Sequence, residues 1–530
     1  MPKFSGSKSK GATNKVRTPT KTVSQDAPDT LTHEGGVGFK KDDKTALYSL
    51  AVTNMVSEKK FYEDGKKRDK RFIDLIRKVA VDDPDWIARF IPYLRDTMNM
   101  RSAAVVMAVE SVRALLGTEQ KKVNLRQIVD SAIVRADEPA EMLAYYAAEY
   151  GKSFPLPVKR GVADAVQRVY NERSALKYDG LSRDWRMGDV IELTHPTPQG
   201  NWQSDLFKYL LDRRHSREWP EEGYTTLEMI EKTRAIDLIP VDQRRAKLLA
   251  GEIDFAGTGF TWERVSGWIN GPMDAPVWEA IIPQMGYMAL LRNLRNFEQA
   301  GISKETVEYV RNKLSDPEQV AKSRQFPYRF LSAYFATNSM LWNESLETAL
   351  DLSTQNIPEF SGETLVLVDV SGSMQGPVSA NSKVLSYQIG ALLGAAVAAR
   401  SKGVTLVPYA TSWEKVYVAP ATSILKLTER LDGIARSGKL SHGTNTWQAV
   451  HDTYEKGKHN RIIIISDMQS FAGSSDKGID VPIFGFDLGG YAQTHMAVGK
   501  KNRYEFAGFN DQAFKAIKML EDTGATGWPF

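Results

Sequence analysis

From about Asp42 to Pro358 apolar residues recur at helical spacing and strand-like alternation is scarce, which predicts a long all-α region. The spacing predicts helices over Thr45 to Ser57, Lys70 to Val81, Asp85 to Thr97, Ser102 to Leu116, Glu138 to Tyr150, Lys159 to Glu172, Thr226 to Arg234 and Val277 to Gln299. The loops are short and punctuated by Asp, Pro and Gly, as at Asp82-Asp83-Pro84. So many paired helices exceed what one bundle core organises, so stacked pairs forming a curved solenoid are expected, in the manner of armadillo and HEAT units. No strict sequence period is visible, and the expectation rests on helix number and the lack of strands.

After about Ser361 the period changes. Apolar strands are predicted after Thr364, over Val404 to Tyr409, Arg461 to Ser466 and Val481 to Phe486, alternating with helices over Lys383 to Arg400, Ser423 to Ile434 and Asp511 to Leu520. That alternation predicts a mostly parallel, doubly wound α/β sheet covered by helices. Ligands of such sheets bind outside the carboxyl ends of the strands, where strand order reverses. Asp369-Val-Ser371-Gly-Ser373 follows the first strand and Asp467 follows the third, while Ser441-His442-Gly443-Thr444-Asn445-Thr446 lies in the loop between the helix Ser423 to Ile434 and the strand Arg461 to Ser466. Two carboxylates and several hydroxyls suit Mg²⁺, which prefers oxygen ligands and keeps waters. The other reading is a turn after a buried strand, with the serines capping the next helix.

Composition narrows the classes. With 42% hydrophobic and 25% charged residues the 530-residue chain is an ordinary globular protein of two to four domains. No run of eighteen apolar residues predicts a membrane span, and the start lacks the apolar core of a secretory signal. Cysteine is absent, which excludes disulfides and thiolate sites and fits a cytoplasmic location. There is no phosphate-cradling loop, nucleophile elbow or zinc-binding His pair, so a non-enzymatic protein is expected. A two-metal nuclease remains the catalytic alternative, although such sites usually collect more carboxylates than hydroxyls.

The net charge of +4 says less than its distribution. Residues 1 to 25 hold six Lys or Arg and no acid, which predicts a flexible basic tail that attracts phosphate or merely solubilises the terminus. Lys59 to Lys78 holds nine basic residues against four acids. Lys152 to Arg186 holds eight against four, including Lys159, Arg160, Arg168, Arg173, Lys177, Arg183 and Arg186, with Tyr170, Tyr178 and Trp185 interleaved. Arginine forks bind phosphate and aromatic faces stack unpaired bases. A solvated helix face gives the same charge run.

Two resemblances organise these observations. Asp369, Ser371, Ser373, Thr444 and Asp467 sit in a region that resembles the von Willebrand factor A domain with its metal-ion-dependent adhesion site, and match its ligand positions. His442 departs from that pattern, where a glycine commonly precedes the Gly-Thr pair. Gln284-Met-Gly-Tyr287-Met-Ala-Leu-Leu-Arg292-Asn293-Leu-Arg295-Asn296 resembles the signature helix of the TROVE domain of the Ro autoantigen family. Met98-Asn-Met-Arg101-Ser-Ala-Ala, Trp185-Arg-Met-Gly-Asp189-Val-Ile-Glu-Leu-Thr-His195-Pro and Arg324-Gln-Phe-Pro-Tyr-Arg-Phe-Leu support it. Arg186-Met-Gly-Asp189 stands where animal members carry a serine-histidine pair before the aspartate.

The resemblance implies a multidomain fold: a basic tail over 1–36, an all-α HEAT-like TROVE ring over 37–358, and a von Willebrand factor A-like α/β domain over 359–530. It implies a monomeric ring that binds Y or Y-like RNAs outside, takes single-stranded ends of misfolded noncoding RNAs into its hole, and serves RNA quality control in a ribonucleoprotein. Lys159, Arg160, Arg168, Arg173, Lys177, Arg183, Arg186, His195, Arg292 and Arg295 are the expected RNA neighbourhood, with His195 also readable as a helix cap. Mg²⁺ or another divalent cation is expected at the adhesion-type site, and an exoribonuclease or other acidic protein as its partner. A metal-dependent protein-interaction adaptor is the alternative from a different class.

Overall fold

The computed structural model describes residues 28–53, 60–118, 123–337, 339–379, 382–498, 500, 502–509, 511–523 and 528–530. The basic tail through residue 27, the end of the helix expected to reach Ser57, and Lys59 lie outside the described residues. Residues 28–36, which the sequence reading placed in the tail, are folded. Thr30–Leu31 pairs antiparallel with Val37–Lys40, and Val37–Lys40 pairs in turn with Gln493–Thr494 in the C-terminal part of the chain.

The helical region runs from Asp43–Thr53 to Met340–Ser353. Its punctuation acts as the residue types predict. Asp83 ends the helix Gly65–Asp82 and caps the next, Pro84–Asp96, by accepting from the Trp86 N–H at 3.0 Å, with Pro84 filling a first-turn position that needs no donor. Asn124, Asn171, Thr261, Ser303 and Asp316 cap other helices in the same way. One expectation is corrected: Val277 to Gln299 is two helices, Ala275–Ile281 and Tyr287–Ala300, separated by a 3₁₀ turn at Ile282–Gln284. Pro283 lacks an N–H and its ring opposes a continuous α-helix, so the chain turns there.

Five parallel strands form the C-terminal sheet, in the spatial order Ser401–Tyr409, Phe360–Asp369, His459–Ser466, Ile483–Asp487, Arg503–Ala507. The second strand in the chain therefore lies on one side of the first and the third on the other. The order reverses between Phe360–Asp369 and His459–Ser466, the two strands that lead into Asp369 and Asp467. Strand Arg503–Ala507 and helix Thr446–Thr453 were not anticipated.

Two large cores result. One collects residues from Leu47 to Ile230, and the other joins the later helices, from Leu248 onward, to one face of the sheet. Asp43–Thr53 packs on Arg503–Ala507, and Met340–Ser353 packs on Ile424–Arg436. The helical array thus starts and ends on the α/β domain and closes into a ring. Asn99 Nδ2 adds a direct link between its halves by donating to the Arg324 carbonyl at 2.7 Å. Among the described residues no helix is long and apolar enough to cross a membrane.

Candidate functional site

At the sheet's reversal point the structure brings Asp369, Ser371, Ser373, Thr444 and Asp467 together, all of them buried. Asp369 accepts from the Ser371 N–H at 2.9 Å and from the Ser466 hydroxyl at 2.7 Å, which fixes its carboxylate at the strand end. The Ser371 and Ser373 hydroxyls are 3.3 Å apart, the latter carried on a short 3₁₀ turn over Gly372–Gln375. Met468 takes a left-handed conformation at φ 60°, turning the chain immediately after Asp467.

The threonine loop is held against both neighbouring loops. Gly372 N–H donates to the His442 carbonyl at 2.8 Å, Gly443 N–H to the Thr411 hydroxyl at 2.8 Å, and Phe471 N–H to the Thr444 carbonyl at 2.8 Å. A Cβ at Gly443 would stand 2.3 Å from the Phe471 ring, so a larger residue there would have to displace that ring. His442 is tolerated because the left-handed position falls one residue earlier, on Ser441 at φ 63°.

Two observations show that these residues fit a cation. Thr444 Oγ1 and Asp467 Oδ2 are buried without a hydrogen-bond partner, which is costly for polar oxygens unless something else satisfies them. Burial pushes both Asp369 and Asp467 above the ordinary carboxylate range, and the Asp369 charge pushes Asp467 further. Among the described residues no three His, Asp or Glu side chains converge closely enough to hold a metal by themselves. The donors are therefore two carboxylates and three hydroxyls, a set for a hard ion that keeps some of its water.

The expected RNA residues divide into several groups. Arg173, Lys177 and Arg292 come together in one cleft of about 650 Å³ that opens between the earlier and later helices. Arg135 and Lys322, not singled out in the sequence, complete its basic lining, and Phe260 and Trp262 lie half-buried in its wall. Glu263 is the acidic residue on it. Arg173, Lys177 and Arg292 are exposed and, among the described residues, none is paired with a carboxylate, although the Lys177 ammonium lies 5.0 Å from the centre of the Tyr178 ring. The separation of these residues in the chain explains why a scan for charge runs found only part of the cleft.

Arg186 is a correction. It is 5% exposed, with Nη2 2.6 Å from Asp179 Oδ2 and Nη1 donating to the Arg213 carbonyl at 3.2 Å. It braces the start of helix Met187–Thr194, because Asp179, buried beside it, needs a counter-charge. Arg168 is also occupied, bonding the Ile133 carbonyl at 2.9 Å and Asp130 Oδ1 at 2.5 Å. Lys159 is half-buried, whereas Arg160, Arg183 and Arg295 are exposed and do not line the cleft. His195 caps its helix in a left-handed conformation at φ 48° and remains exposed beside a shallower groove with Lys208 and Arg217.

The chain is similar to several known proteins. A family model described as the TROVE domain matches residues 258–346, which include Phe260, Trp262, Arg292 and Lys322. Over 463 residues the chain is 21% identical to a protein of Deinococcus radiodurans named RNA-binding protein RO60, covering 83% of each. A 76-residue stretch is 43% identical to telomerase protein component 1 of Mus musculus, and spans 3% of that protein's length. Among solved structures, the crystal structure of the Deinococcus radiodurans Ro (RSR) protein superposes with a TM-score of 0.58 at 16% identity, covering 90% of this chain and 99% of that one.

Proposed function

We propose that this chain is a Ro-type TROVE-domain protein, non-catalytic and RNA-binding, whose cleft between the earlier and later helices takes single-stranded RNA. The observation that carries this reading is the cleft itself, where Arg173, Lys177 and Arg292 have no carboxylate partner among the described residues and stand beside half-buried aromatic rings, while Arg135 and Lys322 are paired with Asp137 and Glu318. Cations there neutralise phosphates, and Trp262 and Phe260 offer faces on which unpaired bases stack. A duplex keeps its bases paired and stacked, whereas a single strand leaves base faces free to lie on these rings. Single-stranded ends of misfolded noncoding RNAs have that form.

The exposed cations outside the cleft, Arg160, Arg183 and Arg295, are proposed to contact a structured Y or Y-like RNA on the ring's surface. The assembly would be a monomeric cytoplasmic ring in a ribonucleoprotein that serves RNA quality control. The α/β domain adds a second activity. Asp369, Ser371, Ser373, Thr444 and Asp467 would hold Mg²⁺, which supplies a positive docking point for an acidic side chain of a protein partner such as an exoribonuclease. The buried, unpartnered Thr444 and Asp467 oxygens support this part.

Incubating the purified protein with labelled RNA and Mg²⁺ tests the function. The RNA should be retained and remain intact, in the wild type and in Asp369→Ala alike. Metal-dependent cleavage that disappears in Asp369→Ala would overturn the non-catalytic reading. Failure of any RNA to bind or copurify would favour a protein-interaction adaptor, while sequencing the copurifying RNAs identifies the ligand.

A further inference from the structure

The N-terminal hairpin lies over the cation site rather than along the ring. Its turn, Thr32 to Gly36, is fastened to the loop that follows Asp467: the Thr32 hydroxyl donates to the Ser470 carbonyl at 2.6 Å, Gly36 N–H to the same carbonyl at 3.1 Å, and His33 N–H to Gln469 Oε1 at 2.9 Å. Gly36 lies so close that a Cβ would meet the Ser470 carbonyl oxygen at 2.3 Å. Tyr62 stacks on His33 with ring centres 4.7 Å apart and reaches the site from a second segment.

At the tip of the turn, Glu34 is half-buried. Its carboxylate accepts a hydrogen bond from the Tyr62 hydroxyl, and that hydroxyl is also within reach of the Ser373 side chain. Glu34 is near enough for its charge to act on Asp369, and Tyr62 is likewise acted on by Asp467. Among the described residues Glu34 forms no ion pair. A carboxylate on a turn has water available, yet this one lies near enough to the buried Asp369 for the two charges to repel, an arrangement that a positive charge between them would stabilise.

We propose that Glu34, held by Tyr62, is the chain's own acidic occupant of the docking face, acting on the cation from its outer sphere so that a partner's carboxylate enters only after the hairpin tip lifts. The proposal rests on the cation reading above. Because, among the described residues, no three carboxylates converge closely enough to hold a metal, Glu34 would act through the Tyr62 hydroxyl rather than as a direct ligand.

Mn²⁺ binding to the full chain provides the test, by calorimetry and by the water relaxation of bound Mn²⁺, with acetate as the probe carboxylate. Glu34→Gln and Tyr62→Phe should each weaken Mn²⁺ binding about tenfold, equivalent to about 1.4 kcal/mol, and Asp369→Ala should abolish it. Acetate should displace water from Mn²⁺ in Glu34→Gln and leave the wild type unchanged. Wild-type affinity in both variants, with acetate reaching wild type and Glu34→Gln equally, would overturn the proposal while leaving the cation site intact. No Mn²⁺ binding by the wild type would overturn the cation reading and this proposal together. Unchanged melting of the metal-free variants separates these outcomes from misfolding.

Discussion

Replacing Lys41 by Met should loosen the N-terminal hairpin and the sheet edge that carries it. Lys41 Nζ lies 2.6 Å from Asp487 Oδ2 and 2.6 Å from Glu505 Oε1, and none of the three side chains is exposed. Burial lowers the Lys41 pKa, but the two carboxylates outweigh it and leave the ammonium above its ordinary value. Removing one member of such a buried group costs about 3–5 kcal/mol, because the remaining charges are left uncompensated. Asp487 keeps the Gly489 and Gly490 N–H groups at 2.7 and 2.8 Å, whereas Glu505 Oε2 already lacks a partner. Glu505, raised by burial, can take up a proton once Lys41 is gone, which places the loss near the lower limit, about 3 kcal/mol. Protonation is easier at low pH, so the loss should shrink in mildly acidic buffer. Urea unfolding should report it, and hydrogen exchange should quicken in 37–41, 483–487 and 503–507. A loss under about 1 kcal/mol, typical of an exposed pair, would refute the argument. So would full protection of 37–41.

Other perturbations separate packing from recognition. His495 is fully buried with both ring nitrogens unpartnered, and burial lowers its pKa from 6.5 to about 4. Below the unfolded value the unfolded chain binds the extra proton, so its contribution is complete above about pH 6.5 and on the order of 3 kcal/mol is lost as pH falls toward 4. His495→Gln should flatten that part of the pH–stability curve, as followed by thermal melting. Arg186→Met leaves Asp179 buried with weaker compensation and should cost about 3 kcal/mol in urea unfolding, with little change in the salt slope of RNA binding. Trp262→Ala should weaken single-stranded RNA binding by about 1–3 kcal/mol in a filter-binding assay, again at unchanged salt slope, because stacking releases no counterions.

The elements that were legible in the sequence owe it to local chemistry. Asp83-Pro84 marks a helix junction by itself, and an apolar strand ending in Asp369-Val-Ser371-Gly-Ser373 implies both a parallel sheet and its ligand edge. What stayed hidden depends on contacts distant in sequence. Thr30–Leu31 and Val37–Lys40 are too short to show a period, and the pairing of Val37–Lys40 with Gln493–Thr494 is distant in sequence. Glu34 and Tyr62 carry no motif; the hairpin's attachment to Ser470 sets Glu34 over the cation site, and Tyr62 joins it there from a separate segment packed on His33 and Tyr491. Basic runs were visible as charge, yet charge alone does not distinguish Arg186, consumed by Asp179, from Lys177, left without a carboxylate. Arg135 and Lys322 fall outside the two basic runs, and the fold brings both into the cleft with Arg292.

The most direct measurement is the salt dependence of single-stranded RNA binding by the full chain, compared with Arg173→Ala/Lys177→Ala/Arg292→Ala. Each neutralised phosphate contributes a log–log slope of about −0.7, so removing three contacts should make the slope shallower by about 2. Asp369→Ala should keep the wild-type slope. A triple variant that retains both slope and affinity would contradict the assignment of RNA to this cleft.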